Sequence, residues 1–200
     1  DVVLVGNGTG SVAYTAPTTG FNMNIRDNGT NALSFSFEGG LRNFDALSAS
    51  LSANRWYHYV VAVKGADPTN ATLNAYLDGV LLTSTGTHAP NVARTNDLAI
   101  GHALANTGNT EFNGKIRDVR IYEGTLSADQ VASLYSGSYN VTPKYHWNFD
   151  ENAAVDGFAL DTGTATTANL QFNGNADSNS RLGTLNLDDD LTIAATGTLS

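Results

Sequence analysis

The amino-acid sequence predicts an all-β protein, an antiparallel β-sandwich with one short helix on its C-terminal side. Apolar residues recur at every second position through much of the chain, and tight-turn dipeptides separate these runs. Helical spacing of apolar residues stands out in a single stretch, 125–137. Composition agrees, because charged residues make up 14% of the 200 positions, against roughly 25% in an average soluble domain.

Taken in order, Phe21, Met23 and Ile25 share one face, Asn28-Gly29 supplies the positive φ angles of a tight turn, and Leu33, Phe35 and Phe37 return. The run WYHYVVAVKG (56–65) is aromatic and β-branched and reads as a central strand. In the next hairpin Leu73, Ala75 and Leu77 lead to Asp78-Gly79, and Val80 and Leu82 come back. LAIGHA (98–103) and KIRDVRIY (115–122) add two strands, the second alternating Val119 and Ile121 against Asp118 and Arg120. The helix follows: Ser127 caps it, Gln130 completes a capping box, Leu126 and Val131 stand at staple spacing, and Gly137 stops it. Its apolar stripe is Val131, Leu134 and Tyr135. After a polar connector at 138–144, HWNFDEN begins another strand, and beyond 151 the pattern weakens to NLQF (169–172) and LGTLNL (182–187) among turn residues.

The formal charge of −9, from 10 Lys+Arg against 19 Asp+Glu, repels phosphate backbones and anionic lipid, which argues against nucleic acid as a partner. Without cysteine there are no disulfides, thiol nucleophiles or thiolate metal sites. No apolar run approaches the roughly 18 residues of a membrane span. The opening DVVLVG has neither an initiator Met nor a basic leader, so the chain reads as a piece of something longer.

Residues 54–137 resemble the laminin-G-like, concanavalin-A-like jelly-roll family of extracellular proteins. The carriers are W-x-H (Trp56, His58), Y-x-D-G (Tyr76, Asp78, Gly79), Ile100-Gly101, F-N-G-K-I-x-D-V-R-I-Y (112–122) and L-S-x-x-x-V-x-x-L-Y (126–135). The resemblance implies an antiparallel jelly-roll β-sandwich. Where the family usually has an Asp-Asp pair in the last strand, this chain has Arg117-Asp118. The family's opening features appear late, as Trp147, Phe149, Asp150 and Glu151, then Asp161 with Gly163, then Phe172-Asn173-Gly174. The early F-x-x-x-x-W-type strand is missing. Residues 1–140 therefore resemble the C-terminal part of a sandwich ending in the helix, and residues 141–200 the opening strands of one. The latter belong to the next repeat, to a neighbouring subunit, or, permuted, to the same sandwich.

A glycosidase on this fold needs paired carboxylates, usually in an E-x-D-x-x-E strand, and no such run occurs. The acidic clusters Asp150-Glu151 and Asp188-Asp189-Asp190 fall in the opening strand and a turn. The histidines, His58, His88, His102 and His146, lack metal-ligand spacing, and His58 reads as structural. The resemblance implies a calcium ion on Asp118, Asp150 and Asp161; the plainer alternative pairs Asp118 with Arg120 and leaves the other two as turn caps. Tyr57, Tyr59, Tyr139 and Tyr145 are candidate sugar-stacking rings, with a half-buried strand or linker position as the plainer alternative. The N-x-[ST] sites at Asn7, Asn28, Asn70 and Asn140 imply no glycosylation in a chain this rich in Asn, Ser and Thr. The expectation is a non-catalytic extracellular building block of a surface fibre, tandem array or virion, partnered by copies of itself or adjacent repeats. A carbohydrate-binding module with glycan ligands is the alternative, and a glycoside hydrolase comes third.

Overall fold

The alternating segments become strands that pair through the turns between them. The computed structural model describes residues 2–6, 20–26, 32–37, 51–64, 72–82, 98–102, 112–138, 141–149, 158–159, 162–164, 170–171 and 191–199. Its strands are β1 (Val2–Gly6), β2 (Phe21–Arg26), β3 (Ala32–Phe37), β4 (Trp56–Lys64), β5 (Thr72–Leu77), β6 (Val80–Leu81), β7 (Ala99–Ile100) and β8 (Gly114–Glu123). Helix α1 (Ala128–Ser136) follows, then β9 (Tyr145–Trp147), β10 (Phe158–Ala159), β11 (Leu170–Gln171) and β12 (Leu191–Leu199). Among the described residues there is a four-stranded sheet, β3-β2-β1-β7, a six-stranded sheet, β6-β5-β4-β12-β8-β9, and a small β10-β11 pair. All of their pairings are antiparallel.

Three layers result. Val5, Phe21, Met23, Ile25, Leu33 and Phe35 of the smaller sheet meet Tyr59, Val61, Val63, Ala75, Val119, Ile121 and Trp147 of the larger in one apolar core. On the other side of the larger sheet, Val60, Ala62, Tyr76 and Tyr122 pack with Leu126, Val131 and Leu134 of the helical segment. Strand β4 is thus covered on both faces, with odd positions toward the other sheet and even positions toward the helix.

Both predicted hairpins form, β5–β6 in the register of a two-residue Asp78-Gly79 turn and β2–β3 one residue away from the register that a two-residue Asn28-Gly29 turn would give. Phe21 stands opposite Phe37 and Ile25 opposite Leu33, while the Asn28-Gly29 turn itself lies outside the described residues. Asp78 (φ 52°) and Gly79 (φ 80°) both take the left-handed conformation required by a two-residue turn whose twist matches its strands. Helix α1 starts as its sequence dictates: Gln130 N–H donates to Ser127 Oγ, and Ser127 N–H donates to Gln130 Oε1. It ends at Gly137, whose φ of 77° lets its N–H reach back to the Leu134 carbonyl. Tyr135 departs from the predicted stripe. Val131 and Leu134 are buried, but Tyr135 is 53% exposed. No helix among the described residues is long and apolar enough to cross a membrane.

The C-terminal third brings the largest departure. Strand β12 was not legible in the sequence, yet it is an interior strand, pairing with β4 from Leu191↔Val63 to Thr198↔Trp56 and with β8 from Leu191↔Glu123 to Leu199↔Gly114. It lies between β4 and β8, which among the described residues are joined only through it. Strand β9 adds to the outer side of β8, with Trp147 opposite Val119, and Trp147 is fully buried in the inter-sheet core. The strand expected across HWNFDEN is shorter than its alternation implies, because Phe149 has a φ of 60° that turns the backbone out of extended geometry. The predicted strand at 182–187 lies outside the described residues, and NLQF contributes only Leu170–Gln171.

Candidate functional site

A break in strand β8 decides what faces outward. Opposite it, Ala194 pairs with Arg120 but Thr196 with Arg117, so β8 carries one extra residue there, and Asp118 adopts a φ of 58°. Ile116, Val119 and Ile121 keep contact with the inter-sheet core across this bulge. Arg117, Asp118 and Arg120 all line a cleft on the helix side of the sheet. The sequence holds the signal, since apolar positions 116, 119 and 121 break the period of two by one residue.

The cleft has a volume of about 670 Å³ and is bounded by the start of β4 (Arg55, Trp56, His58), Asp78 of the hairpin turn, the β8 bulge and the end of α1 at Tyr135. Asp78 ties the turn to β4: its Oδ1 accepts from the His58 backbone N–H at 2.9 Å and its Oδ2 from Arg55 Nη2 at 2.7 Å. The His58 ring stacks on Tyr135 at 5.9 Å, and the space beside Gly79 is filled by the same tyrosine. His58 is 8% exposed and its Nδ1 has no hydrogen-bond partner among the described residues. Burial pushes its pKa below the usual histidine value, with Arg120 adding to the shift and Asp118 and Asp78 opposing it. At the open side, the Arg117 guanidinium lies 4.4 Å from the centroid of the Trp56 ring, which is 39% exposed.

Asp118 joins the cleft to β9. Its Oδ1 lies 2.9 Å from Arg120 Nε and 2.7 Å from His146 Nε2, and Thr162 Oγ1 stands 3.0 Å from His146 Nδ1. With the imidazole proton on Nε2, His146 donates to Asp118 and accepts from Thr162. Burial works to raise the Asp118 carboxyl, but the hydrogen bond from His146 and the charge of Arg120 outweigh it and hold the group below the usual carboxylate range. The chain of contacts fastens the 162–164 turn onto β9, where Thr162 N–H also donates to the His146 carbonyl at 2.8 Å. Gly163 is needed there because a Cβ would collide with the Lys144 carbonyl.

Of the calcium set, Asp118 alone falls among the described residues; Asp150 and Asp161 lie outside them. Calcium takes six to eight oxygen ligands. The described contacts of Asp118 are instead two nitrogens on one oxygen, and among the described residues no group of three potential ligands assembles. The described residues therefore bring no set of oxygen ligands together around Asp118. Three of the four candidate sugar-stacking tyrosines turn inward. Tyr57, Tyr59 and Tyr145 are buried, Tyr139 lies outside the described residues, and the exposed rings at the cleft are Trp56 and Tyr135.

A jelly-roll sheet with the W-x-H strand, the D-G turn and the capped helix in this order is matched by the family model described as the concanavalin A-like lectin/glucanases superfamily (Laminin_G_3), over residues 3–132. The chain belongs to that superfamily. No curated protein and no solved structure matches the chain significantly. The concanavalin A-like superfamily takes in both lectins and glucanases, so the chemistry of the cleft bears on which kind of member this is. Glycoside hydrolysis needs one carboxyl with a raised pKa to protonate the leaving oxygen. Asp118 is held in the opposite direction, and Asp78 is engaged by a guanidinium and a backbone N–H.

Proposed function

We propose that this concanavalin A-like domain is a non-catalytic extracellular building block whose sandwich is closed by residues 141–200, and that this closing segment is handed between neighbouring copies or repeats in a surface fibre, tandem array or virion. The observation that supports it is the position of β12. An interior strand drawn from the far end of the chain leaves β4 and β8 with unpaired edges when it is absent. The same contacts arise whether the segment comes from the same copy or the next one. Residues 1–142 and 143–200 produced separately test the idea: the larger piece is expected to lack cooperative unfolding alone and to regain it on mixing. Full stability of 1–142 by itself refutes the closing role, and a chain that stays monomeric in light scattering at every concentration refutes the hand-over.

A carbohydrate-binding role is the second reading, favoured by the two exposed aromatic rings beside the polar cleft. A calcium ion on Asp118, Asp150 and Asp161 is a separate proposal that rests on the family resemblance. A bound ion raises the melting temperature by mass action. An unchanged midpoint in EDTA and in millimolar calcium refutes it.

A further inference from the structure

We propose that the cleft between the start of β4, the β5–β6 turn, the β8 bulge and α1 binds a carboxylate-bearing sugar, a uronic acid unit, received by Arg117 where it lies on Trp56. This rests on the carbohydrate-binding reading and specifies its ligand class and site.

Charge pairing inside the cleft carries the inference. Three guanidiniums line it, Arg55, Arg117 and Arg120, against the carboxylates Asp78 and Asp118. Arg55 pairs with Asp78 at 2.7 Å and Arg120 with Asp118 at 2.9 Å. Arg117 is left with an aromatic ring and no carboxylate among the described residues. In a chain with 19 acidic and 10 basic residues, a guanidinium without an acidic partner beside two that have one is a local positive site in a negative field. The contact with the Trp56 ring restrains the guanidinium, so its N–H groups meet a carboxylate with less entropy lost than those of a free side chain.

The backbone is shaped for the same result. Without the bulge at Asp118, strict alternation from Val119 and Ile121 would send Arg117 to the core side of β8; the extra residue turns it to the cleft. The volume of about 670 Å³ lies within the range of small-ligand sites, roughly 300–1,000 Å³, and admits a sugar ring or two. Trp56 from β4 and Tyr135 from α1 both line the cleft and are partly exposed, bringing aromatic surface for the apolar side of a pyranose. His58, lining the same cleft, is a buried polar side chain whose Nδ1 has no partner among the described residues. An acidic peptide fits less well: extended peptides dock by adding to a free strand edge, and β4 and β8 are both interior strands here.

The experiment is a titration of the full chain with D-glucuronic acid, D-glucose, acetate and N-acetylglutamate amide, read by tryptophan fluorescence and by the indole N–H resonances. Trp147 is buried, so Trp56 is the reporter. Glucuronate is expected to bind saturably and to shift Trp56, more weakly as salt is raised, while the other three probes bind at least about tenfold more weakly. Arg117→Gln is expected to lower glucuronate affinity about tenfold or more with an unchanged melting temperature, and Arg117→Lys to restore part of it. Equal binding of glucose, or no effect of Arg117→Gln, overturns the carboxylate assignment while the carbohydrate reading survives. Equal binding of acetate or N-acetylglutamate amide overturns the sugar assignment. If neither sugar shifts Trp56, both the inference and the reading of this cleft as a carbohydrate site fail.

Discussion

Replacing Trp147 by alanine tests how the C-terminal third is held. The residue is fully buried, stands opposite Val119 in the β8–β9 register, and stacks on Tyr145 with ring centroids 5.8 Å apart and planes at 9°. Removing a buried tryptophan side chain costs about 3–5 kcal/mol in lost burial and residual cavity. Loss of the stacked pair adds about 0.5–1.5 kcal/mol. Since domains are stable by only about 5–15 kcal/mol, Trp147→Ala should bring the protein close to unfolding at room temperature. Urea denaturation followed by circular dichroism measures the change, with Trp56→Ala as the matched surface control. Trp56 is 39% exposed and contributes chiefly its contact with Arg117, so its loss should cost about 1 kcal/mol or less. A cost below about 1 kcal/mol for Trp147→Ala, typical of surface substitutions, refutes the placement of β9 in the core. Repeating the wild-type titration over a wide range of protein concentration asks where residues 141–200 come from: exchange between copies makes the midpoint rise with concentration, whereas closure within one chain leaves it fixed.

Three further outcomes are expected. Ser127→Ala removes the capping-box acceptor of α1 and should cost about 0.5–2 kcal/mol, read by thermal or chemical denaturation. Stability should fall on acidification in two steps: burial lowers the folded-state pKa of His58, so protons favour the unfolded chain once the pH drops below 6.5, and the depressed Asp118 carboxyl adds a second loss below the ordinary carboxylate value of 3.8. His58→Phe should flatten the first limb of the stability–pH curve without touching the second. Incubation with glucans, galactans and alginates should release no new reducing ends, and sustained turnover would show that a carboxylate pair acts in this domain.

The local signals of the sequence were sufficient where structure is decided over a few residues. Alternation with a D-G turn specified the β5–β6 hairpin, because only left-handed backbone at both turn positions matches the strand twist. Ser127, Gln130 and Gly137 specified both ends of α1, because each satisfies backbone groups within four residues of itself. The motif order from Trp56 to Tyr135 specified the family. Tertiary structure decided what depends on partners distant in the chain. Strand β12 escaped notice because LTIAATGTL is dominated by Ala, Thr and Gly, and it becomes a strand by pairing on both sides with β4 and β8. Which rings reach solvent was equally hidden: β4 is covered by a sheet on one face and a helix on the other, so Tyr57 and Tyr59 are buried while Trp56, at the strand's end, stays exposed. The direction of Arg117 hung on one added residue, since side-chain orientation in a strand inverts with each step; the shifted spacing of Ile116, Val119 and Ile121 marks that residue in the sequence, but only the pairing with β12 shows it as a bulge that turns Arg117 to the cleft.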